Sequence, residues 1–353
     1  MAVDFVDPGD PDAVAADLAA AFTDEHGRPP DGVFTAPGRV NLIGEHLDYN
    51  GGRCLPFALP HATYAATGVR EDDLLTVRSL QVAEPWSGRL GDLGPGSLPG
   101  WVAYVGGVVW ALREDGIDVP GLDLVLDSRV PLGSGLSSSA ALECAVALAA
   151  CAAAGVAWDE PVRERVVAAC IKAENEVAGA ATGGLDQTVA VHAEPDHALL
   201  LDFADGSRRQ VSWAPEQSGL SLLVLDTRVH HQLSDGGYGD RRAECEAAAR
   251  ALGVDRLASV TDQDAAAARL ADETLVRRTR HVVTENARVV AAVAALEAGD
   301  LAALGPLFDA SHASLRDDFS VSCEELDVAC AVAVETGALG ARMTGGGFGG
   351  SAI

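Results

Sequence analysis

Lysine is nearly absent from this 353-residue chain: all but one of its 25 basic residues are arginine, the exception being Lys172. A P-loop needs a Gly-rich turn followed at once by Lys and Ser/Thr, and a protein-kinase site needs a lysine on its third strand facing the phosphates. Neither Gly-rich segment here is followed by a lysine, so both nucleotide-binding classes are excluded, and Schiff-base chemistry would have to use Lys172. Basic residues as a whole are scarce, 25 against 52 acidic ones, a formal net charge of −27. A polyanion would meet a repulsive field, which argues against nucleic-acid binding. Cysteine is present seven times, at 54, 144, 151, 170, 245, 323 and 330, an odd count with no C-x-x-C pair. A disulfide scaffold and a zinc knuckle are therefore not expected, and small buried thiols in a reducing, cytoplasmic compartment are.

A leader and a membrane span are not expected either. The first residues, MAVDFVDPGDPD, are acidic and carry no basic or apolar stretch of the signal-peptide kind. The longest apolar run, Ala140 to Trp158, is mostly alanine and carries Glu143, too weakly hydrophobic for a bilayer and suited to a buried helix. What is there is globular: 48% hydrophobic and 22% charged residues, at a length that suggests about two domains.

Periodicity predicts a helix over 11–26, with Val14, Leu18 and Phe22 on one face, and extended chain over 32–43 interrupted at Pro37-Gly38. A polar loop with Glu45, His46, Asp48, Tyr49 and Asn50 follows, then strands within 62–82, an exposed Gly/Pro-rich turn over 91–100 and a helix over 101–113. A short strand at 122–127 leads through a Gly/Ser segment into the Ala-rich helix. A second helix is expected over 160–180, ending at a turn with Gly183 and Gly184. The polar stretch 202–219 reads as a connection, which sets a domain boundary at 205/206. Helices are expected over 239–252, 275–299 and 323–336, with a Gly-rich close at 345–350.

Several of these segments can carry chemistry. In PLGSGLSSSAALE, residues 131–143, glycines permit close backbone approach and a helix begins at once, so its free N–H groups and dipole suit a phosphate. A Ser-capped helix after a flexible turn is the plainer reading, but one cap needs only one of the three serines. Glu174, in KAENEVAG, suits a magnesium ligand facing those serines, or a solvated helix surface. Asp186, after Gly183, Gly184 and Leu185, reads either as an Asx-turn or N-cap, or as a carboxylate that takes or orients a hydroxyl proton beside a transferring phosphoryl group. Arg39 would then balance its charge and hold it ionised. Glu45, His46 and Asp48 lack metal-binding spacing, and two carboxylates with an imidazole on one loop suit a polyhydroxylated ligand such as a sugar. The tail G-x-G-x-x-G, Gly345 to Gly350, has no room after it for a Rossmann unit, leaving a plain turn or a loop packed beside a phosphate site.

Three separated segments, PGRVNLIGEHLDYNGG (37–52), PLGSGLSSSAALE (131–143) and RMTGGGFGGSA (342–352), together resemble galactokinases of the GHMP small-molecule kinase superfamily. The first is specific to galactokinases, the other two are superfamily features, and KAENEVAG, GGLDQ, DTRVHHQLSDGGYGDRRAECE and SHASLRDDFSVSCEELD agree. The resemblance implies an α+β fold of two GHMP kinase domains, 1–205 and 206–353, with the active site in the cleft between them. It implies transfer of the ATP γ-phosphoryl group to the anomeric hydroxyl of α-D-galactose. Asp186 is then the catalytic carboxylate with Arg39 as its partner. Glu45, His46, Asp48, Gly183 and Tyr238 take the sugar-binding positions. Ser139 and Glu174 take those for Mg²⁺, and Gly133, Ser134, Gly135, Leu136, Ser137 and Ser138 form the phosphate loop. Trp101 and Tyr104 fall near the adenine. Galactose and ATP are the expected partners, with no nucleic acid and no membrane, and the chain is expected to be a monomer or weak homodimer.

Two departures stand out. Leu47 occupies a position where most galactokinases have threonine, which removes a hydroxyl from the signature loop. The chain ends at Ile353 where the family pattern continues through a further strand, an end that would expose a sheet edge. Two rival readings are a sugar- and ATP-binding regulator without turnover, and a kinase for N-acetylgalactosamine or another hexose.

Overall fold

The computed structural model describes residues 4–180, 182–230 and 237–353. In chain order the elements are α1 (Pro11–His26), β1 (Gly32–Asn41), β2 (Arg53–Cys54), β3 (Pro56–Val69), β4 (Leu74–Ser79), β5 (Trp86–Arg89), α2 (Val102–Glu114), β6 (Leu122–Ser128), α3 (Ser138–Ala153), α4 (Glu160–Ala173) and α5 (Leu185–His192). Then come β7 (His197–Asp202), β8 (Ser207–Ser212), β9 (Leu225–His230), α6 (Gly237–Leu252), α7 (Gln263–Ala267), α8 (Glu273–Glu297), α9 (Leu304–Ser314), α10 (Glu324–Glu335), β10 (Met343–Thr344) and β11 (Gly349–Ala352).

These elements form two compact units. The first comprises Met1–Arg39, Leu59–Pro131 and Ser137–His192; the second comprises Val40–Ala58, Leu132–Leu136 and Ala193–Ile353. The break after His192 differs from the boundary expected at 205/206, and two segments of the N-terminal half pack with the C-terminal half. The reason is the hairpin of β7 and β8, which pairs with β2 in an antiparallel sheet of order β2-β7-β8. β8 is polar and largely exposed, so its sequence carries no apolar alternation and reads as a connection.

The first unit is built on a sheet of order β1-β3-β6-β4-β5, in which β3/β6 and β4/β5 are antiparallel and β4/β6 parallel. Side chains alternate across it. Leu122, Leu124 and Leu126 of β6 face a core with Val105, Val108 and Leu112 of α2 and the small residues of α3. Val125 points the other way, against Val14, Leu18 and Phe22 of α1. Full burial of Leu18 and Phe22 contributes about 1.5–3 kcal/mol each. The limits of α1 follow from its caps: Asp10 accepts from the Ala13 N–H, Pro11 sits at the first position, and Gly27 closes the helix in the left-handed region.

The helix expected over 160–180 is α-helical only to Ala173. It then widens into a single π turn, Glu174–Ala178, closed by Gly179 at φ 74°. In the second unit the C-terminal segment forms a sheet of order β10-β11-β9, with the 25-residue α8 packed on α6, α7 and α9. β11 is paired on both sides, and Ile353 exchanges both backbone hydrogen bonds with Arg342. The seven cysteines are free thiols, six of them buried. Lys172 holds its ammonium over the ring of Trp110, 4.5 Å from the centroid, a structural rather than a nucleophilic setting. Among the described residues no helix is long and apolar enough to cross a membrane.

Candidate active site

In the first unit, Asp186 lies on the opening turn of α5, and Arg39 comes from the end of β1. The guanidinium grips the carboxylate as a fork, Nε to Oδ1 at 2.8 Å and a terminal nitrogen to Oδ2 at 2.9 Å. Ser137 donates its hydroxyl to Oδ2 of the same carboxylate. Ser137 occupies the N-cap position of α3 at φ 59°, yet makes no capping hydrogen bond. Its hydroxyl is turned to Asp186 instead, so the Ser-cap reading of this segment does not hold for Ser137. Ser138 starts the helix and is half-buried.

Glu174 is buried, at the first residue of the π turn. Burial, and next the charge of Asp186, push its carboxyl up to about 7, while hydrogen bonds from Ser139 and Gln187 favour the ionised form. The Gln187 amide nitrogen donates to Glu174 and, at 3.1 Å, to Glu143. Glu143 is fully buried, burial and the neighbouring Glu174 raise its carboxyl well above the usual range, and its Oε1 has no partner among the described residues. Three carboxyl groups, Glu143, Glu174 and Asp186, thus share a region with one guanidinium and a serine hydroxyl. Carboxylate and hydroxyl oxygens are the donors a hard divalent cation takes, although among the described residues these three carboxylates are not gathered into one preformed cluster. Tyr104 of α2 is within electrostatic reach of Glu174 and Glu143, its phenol raised first by burial and then by those charges. Trp101 precedes α2 and packs against the core of this unit, and Gly183 lies half-buried in the turn before α5.

The sugar-signature loop belongs to the second unit. Glu45 is buried and densely hydrogen-bonded: Oε2 accepts from the Asn41 amide at 2.8 Å, and Oε1 from the Gly345 N–H at 2.8 Å and the Thr344 hydroxyl at 3.1 Å. Arg342, fully buried, lies 3.4 Å from Oε1 and donates to the carbonyls of Asn41 and Leu42. A carboxylate offers about four lone-pair sites, so Oε2 retains acceptor capacity for a hydroxyl. His46, at φ 63°, is stacked among Tyr238, Tyr49 and Phe319, with ring centroids at 5.4, 5.9 and 4.8 Å. Its Nδ1 meets the Tyr49 hydroxyl at 2.9 Å, and the backbone of Gly346 is a second hydrogen-bonding neighbour of the ring. Burial, and next His281, lower its pKa to about 3, so the ring is neutral at ordinary pH. Asp48 is half-buried at the start of a short turn, Asp48–Asn50. Leu47 is fully buried. Tyr238 opens α6; residues 231–236, just before it in the quoted DTRVHHQLSDGGYGDRRAECE stretch, lie outside the described residues.

The two Gly-rich segments meet in this unit. A Cβ on Gly345, at φ 85°, would come within 2.9 Å of the Gly135 carbonyl oxygen, and Ser351 donates its hydroxyl to the Ser134 carbonyl at 2.7 Å. Gly133 and Gly135 are both in the left-handed region, Ser134 and Leu136 are buried, and the tail is a loop packed on the phosphate-loop segment. The expected sugar set is therefore divided, Glu45, His46, Asp48 and Tyr238 in one unit and Gly183 in the other. The chain passes between units five times, two of the crossings falling at Arg39/Val40 and Leu136/Ser137.

Three family models match the chain: the galactokinase galactose-binding signature over 20–69, the GHMP kinases N terminal domain over 103–194 and the GHMP kinases C terminal domain over 292–353. A galactokinase of Streptomyces coelicolor is 51% identical over 349 residues, 97% of this chain and 89% of that protein. The chain belongs to the galactokinase family. A galactokinase of Mycobacterium tuberculosis is 47% identical over 322 residues, covering 91% of this chain and 87% of that one. The crystal structure of Lactococcus lactis galactokinase complexed with galactose superposes with a TM-score of 0.88 at 32% identity, over 96% of this chain and 89% of that chain. Methanococcus jannaschii mevalonate kinase shares the fold, with a TM-score of 0.64 at 16% identity over 91% of this chain and 89% of that chain. The α+β architecture of two GHMP kinase domains is thus that of the galactokinase family.

In this galactokinase-family chain, Glu143, Gln187, His281, Arg342 and Thr344 join the candidate site without having been expected there from the sequence. Some signals were present: Glu143 is the one acid inside an Ala-rich helix, and Gln187 directly follows Asp186. Arg342 heads the Gly-rich tail, but nothing local marks it as a fully buried arginine.

Proposed function

We propose that the chain transfers the γ-phosphoryl group of ATP to the anomeric hydroxyl of α-D-galactose, giving galactose 1-phosphate and ADP. The observation that carries this reading is Asp186, gripped by the Arg39 fork and by Ser137 on the opening of the helix after the phosphate loop. Asp186 accepts or orients the hydroxyl proton as the oxygen attacks phosphorus, and Arg39 offsets negative charge at the reacting centre. Glu45, His46, Asp48, Gly183 and Tyr238 bind the sugar; the spare acceptor capacity of Glu45 supports hydroxyl recognition. Backbone groups of Gly133 to Ser138 cradle the phosphates, and Trp101 and Tyr104 lie along the base. Ser139 and Glu174 would hold Mg²⁺, which when bound neutralises charge on the ATP phosphates. The cytoplasm is the location we propose, supported by seven free thiols, together with a monomer or weak homodimer.

The test is ADP release by the purified protein with Mg-ATP and a panel of sugars. Turnover on galactose, falling in the absence of Mg²⁺, is expected. Turnover confined to N-acetylgalactosamine or another hexose would replace the substrate. Binding of galactose and ATP without any turnover would support a regulator instead.

A further inference from the structure

The signature loop carries two backbone conformations that L side chains or neighbours resist. Gly44 has φ 104°, with the Arg53 carbonyl oxygen 2.5 Å from where a Cβ would stand, and His46 has φ 63°. Such conformations persist only where surrounding groups over-determine them. The groups that do so come from one face of α8, a single turn apart. Glu285 Oε1 accepts the Gly44 N–H at 2.9 Å, and His281 Nε2 lies 3.2 Å from the Glu45 carbonyl oxygen. A carbonyl can only accept, so Nε2 carries the proton and His281 is the donor. Its Nδ1 meets the Ser314 hydroxyl at 2.9 Å. Its ring also lies on Phe319 with centroids 4.4 Å apart, and Phe319 in turn contacts the ring of His46 at 4.8 Å.

Glu285 is itself fully buried and held by three donors: the Gly44 N–H, the Ser311 hydroxyl at 2.7 Å and the Arg288 Nε at 2.7 Å. A buried ion pair of this kind is a poor source of stability, because desolvation offsets most of the attraction. What it supplies here is a fixed acceptor for one N–H of the loop. From these contacts we propose that Glu285 and His281 are positioning residues for sugar recognition, fixing the Ile43–Gly44 and Glu45–His46 peptide groups that bracket Gly44 and Glu45, and so the pose of Glu45 and His46. The proposal rests on the reading of this loop as the galactose site.

The experiment measures KM for galactose, KM for ATP, kcat and melting temperature for four variants beside the wild type. Glu285→Ala is expected to raise KM for galactose about tenfold or more, with KM for ATP within about twofold, since it leaves the Gly44 N–H buried and unpaired. Glu285→Gln keeps an oxygen that can accept that N–H and is expected to recover most of the loss. Arg288→Met removes the charge partner without touching the loop; it should lower the melting temperature and leave KM for galactose within about twofold. His281→Phe retains ring packing but not the donor, and should raise KM for galactose about fivefold. This variant decides the matter if Glu285→Ala is too unstable to assay. A folded Glu285→Ala or His281→Phe with wild-type KM for galactose overturns the proposal. So does Arg288→Met if it raises that KM as much as Glu285→Ala. Wild-type enzyme that binds no galactose overturns the reading of the loop itself, and the proposal with it.

Discussion

Ser137 gives its hydroxyl hydrogen bond to Asp186, although its backbone stands at the N-cap of α3. Capping of α3 and the hydrogen bond to Asp186 thus compete for one side chain, and the carboxylate takes it. Ser137→Ala should therefore cost the helix no cap, and the melting temperature should change little. Turnover should fall about tenfold, because one of the two groups orienting the carboxylate is gone. Steady-state kinetics and thermal melting on the same preparation check this. A large loss of stability with unchanged turnover would show Ser137 to be structural.

The pH dependence of stability should have two limbs of opposite sign. Glu174 is raised to about 7 in the folded chain, from an ordinary value of 4.5. Between those values the folded chain keeps a proton that the unfolded chain has released, so this group's stabilisation is complete below 4.5 and is lost as pH rises through about 7. His46 and His281 are lowered to about 3 and about 4, in both cases first by burial, from 6.5. Their contribution is complete above 6.5 and is lost as pH falls, because the unfolded chain takes up protons the folded chain excludes. Melting curves across this range should show Glu174→Gln flattening the neutral limb and His281→Phe flattening the acid limb.

Leu47 is fully buried, so a threonine there would place a hydroxyl in a dry, apolar position. Leu47→Thr should destabilise the protein by about 1–3 kcal/mol, through lost methyl burial and a hydroxyl without a partner. KM for galactose in the folded fraction should not improve. Denaturant unfolding with sugar kinetics tests both halves of the statement.

Gly345→Ala should loosen the contact between the tail loop and the phosphate-loop segment. The new methyl would meet the Gly135 carbonyl oxygen at 2.9 Å, and φ 85° is strained for any residue with a Cβ. Since Gly345 also donates its N–H to Glu45, both KM for ATP and KM for galactose should rise. A change in neither would place this loop outside ligand binding.

Much of this was legible in the sequence where local signals are strong. The helix at 11–26 has its caps and its apolar face written together, whereas the roles expected of Arg39, Asp186, Ser139 and Glu174 came from the family resemblance of the segments that carry them, each having a plainer reading on its own chemistry. The domain boundary was not legible, because β8 is an exposed strand whose pattern is polar, although Asp205-Gly206 in its hairpin is a turn signal. The π turn at Glu174 was not legible either, since a one-residue widening leaves no periodic trace. Glu285 and His281 lie some 240 residues from the loop they hold. Their spacing on α8 shows only a helix face, and the contact exists only in the tertiary structure.

The central claim is tested most directly by phosphorus NMR of the product from galactose and Mg-ATP, with wild type and Asp186→Ala side by side. Asp186 is partly exposed and its unit has a separate core, so the variant should fold and bind ATP. The account predicts one sugar phosphate, coupled to the anomeric proton, from the wild type, and turnover lower by about 10²–10⁴ in Asp186→Ala. A phosphate on another carbon, or a folded Asp186→Ala protein with full turnover, would contradict it.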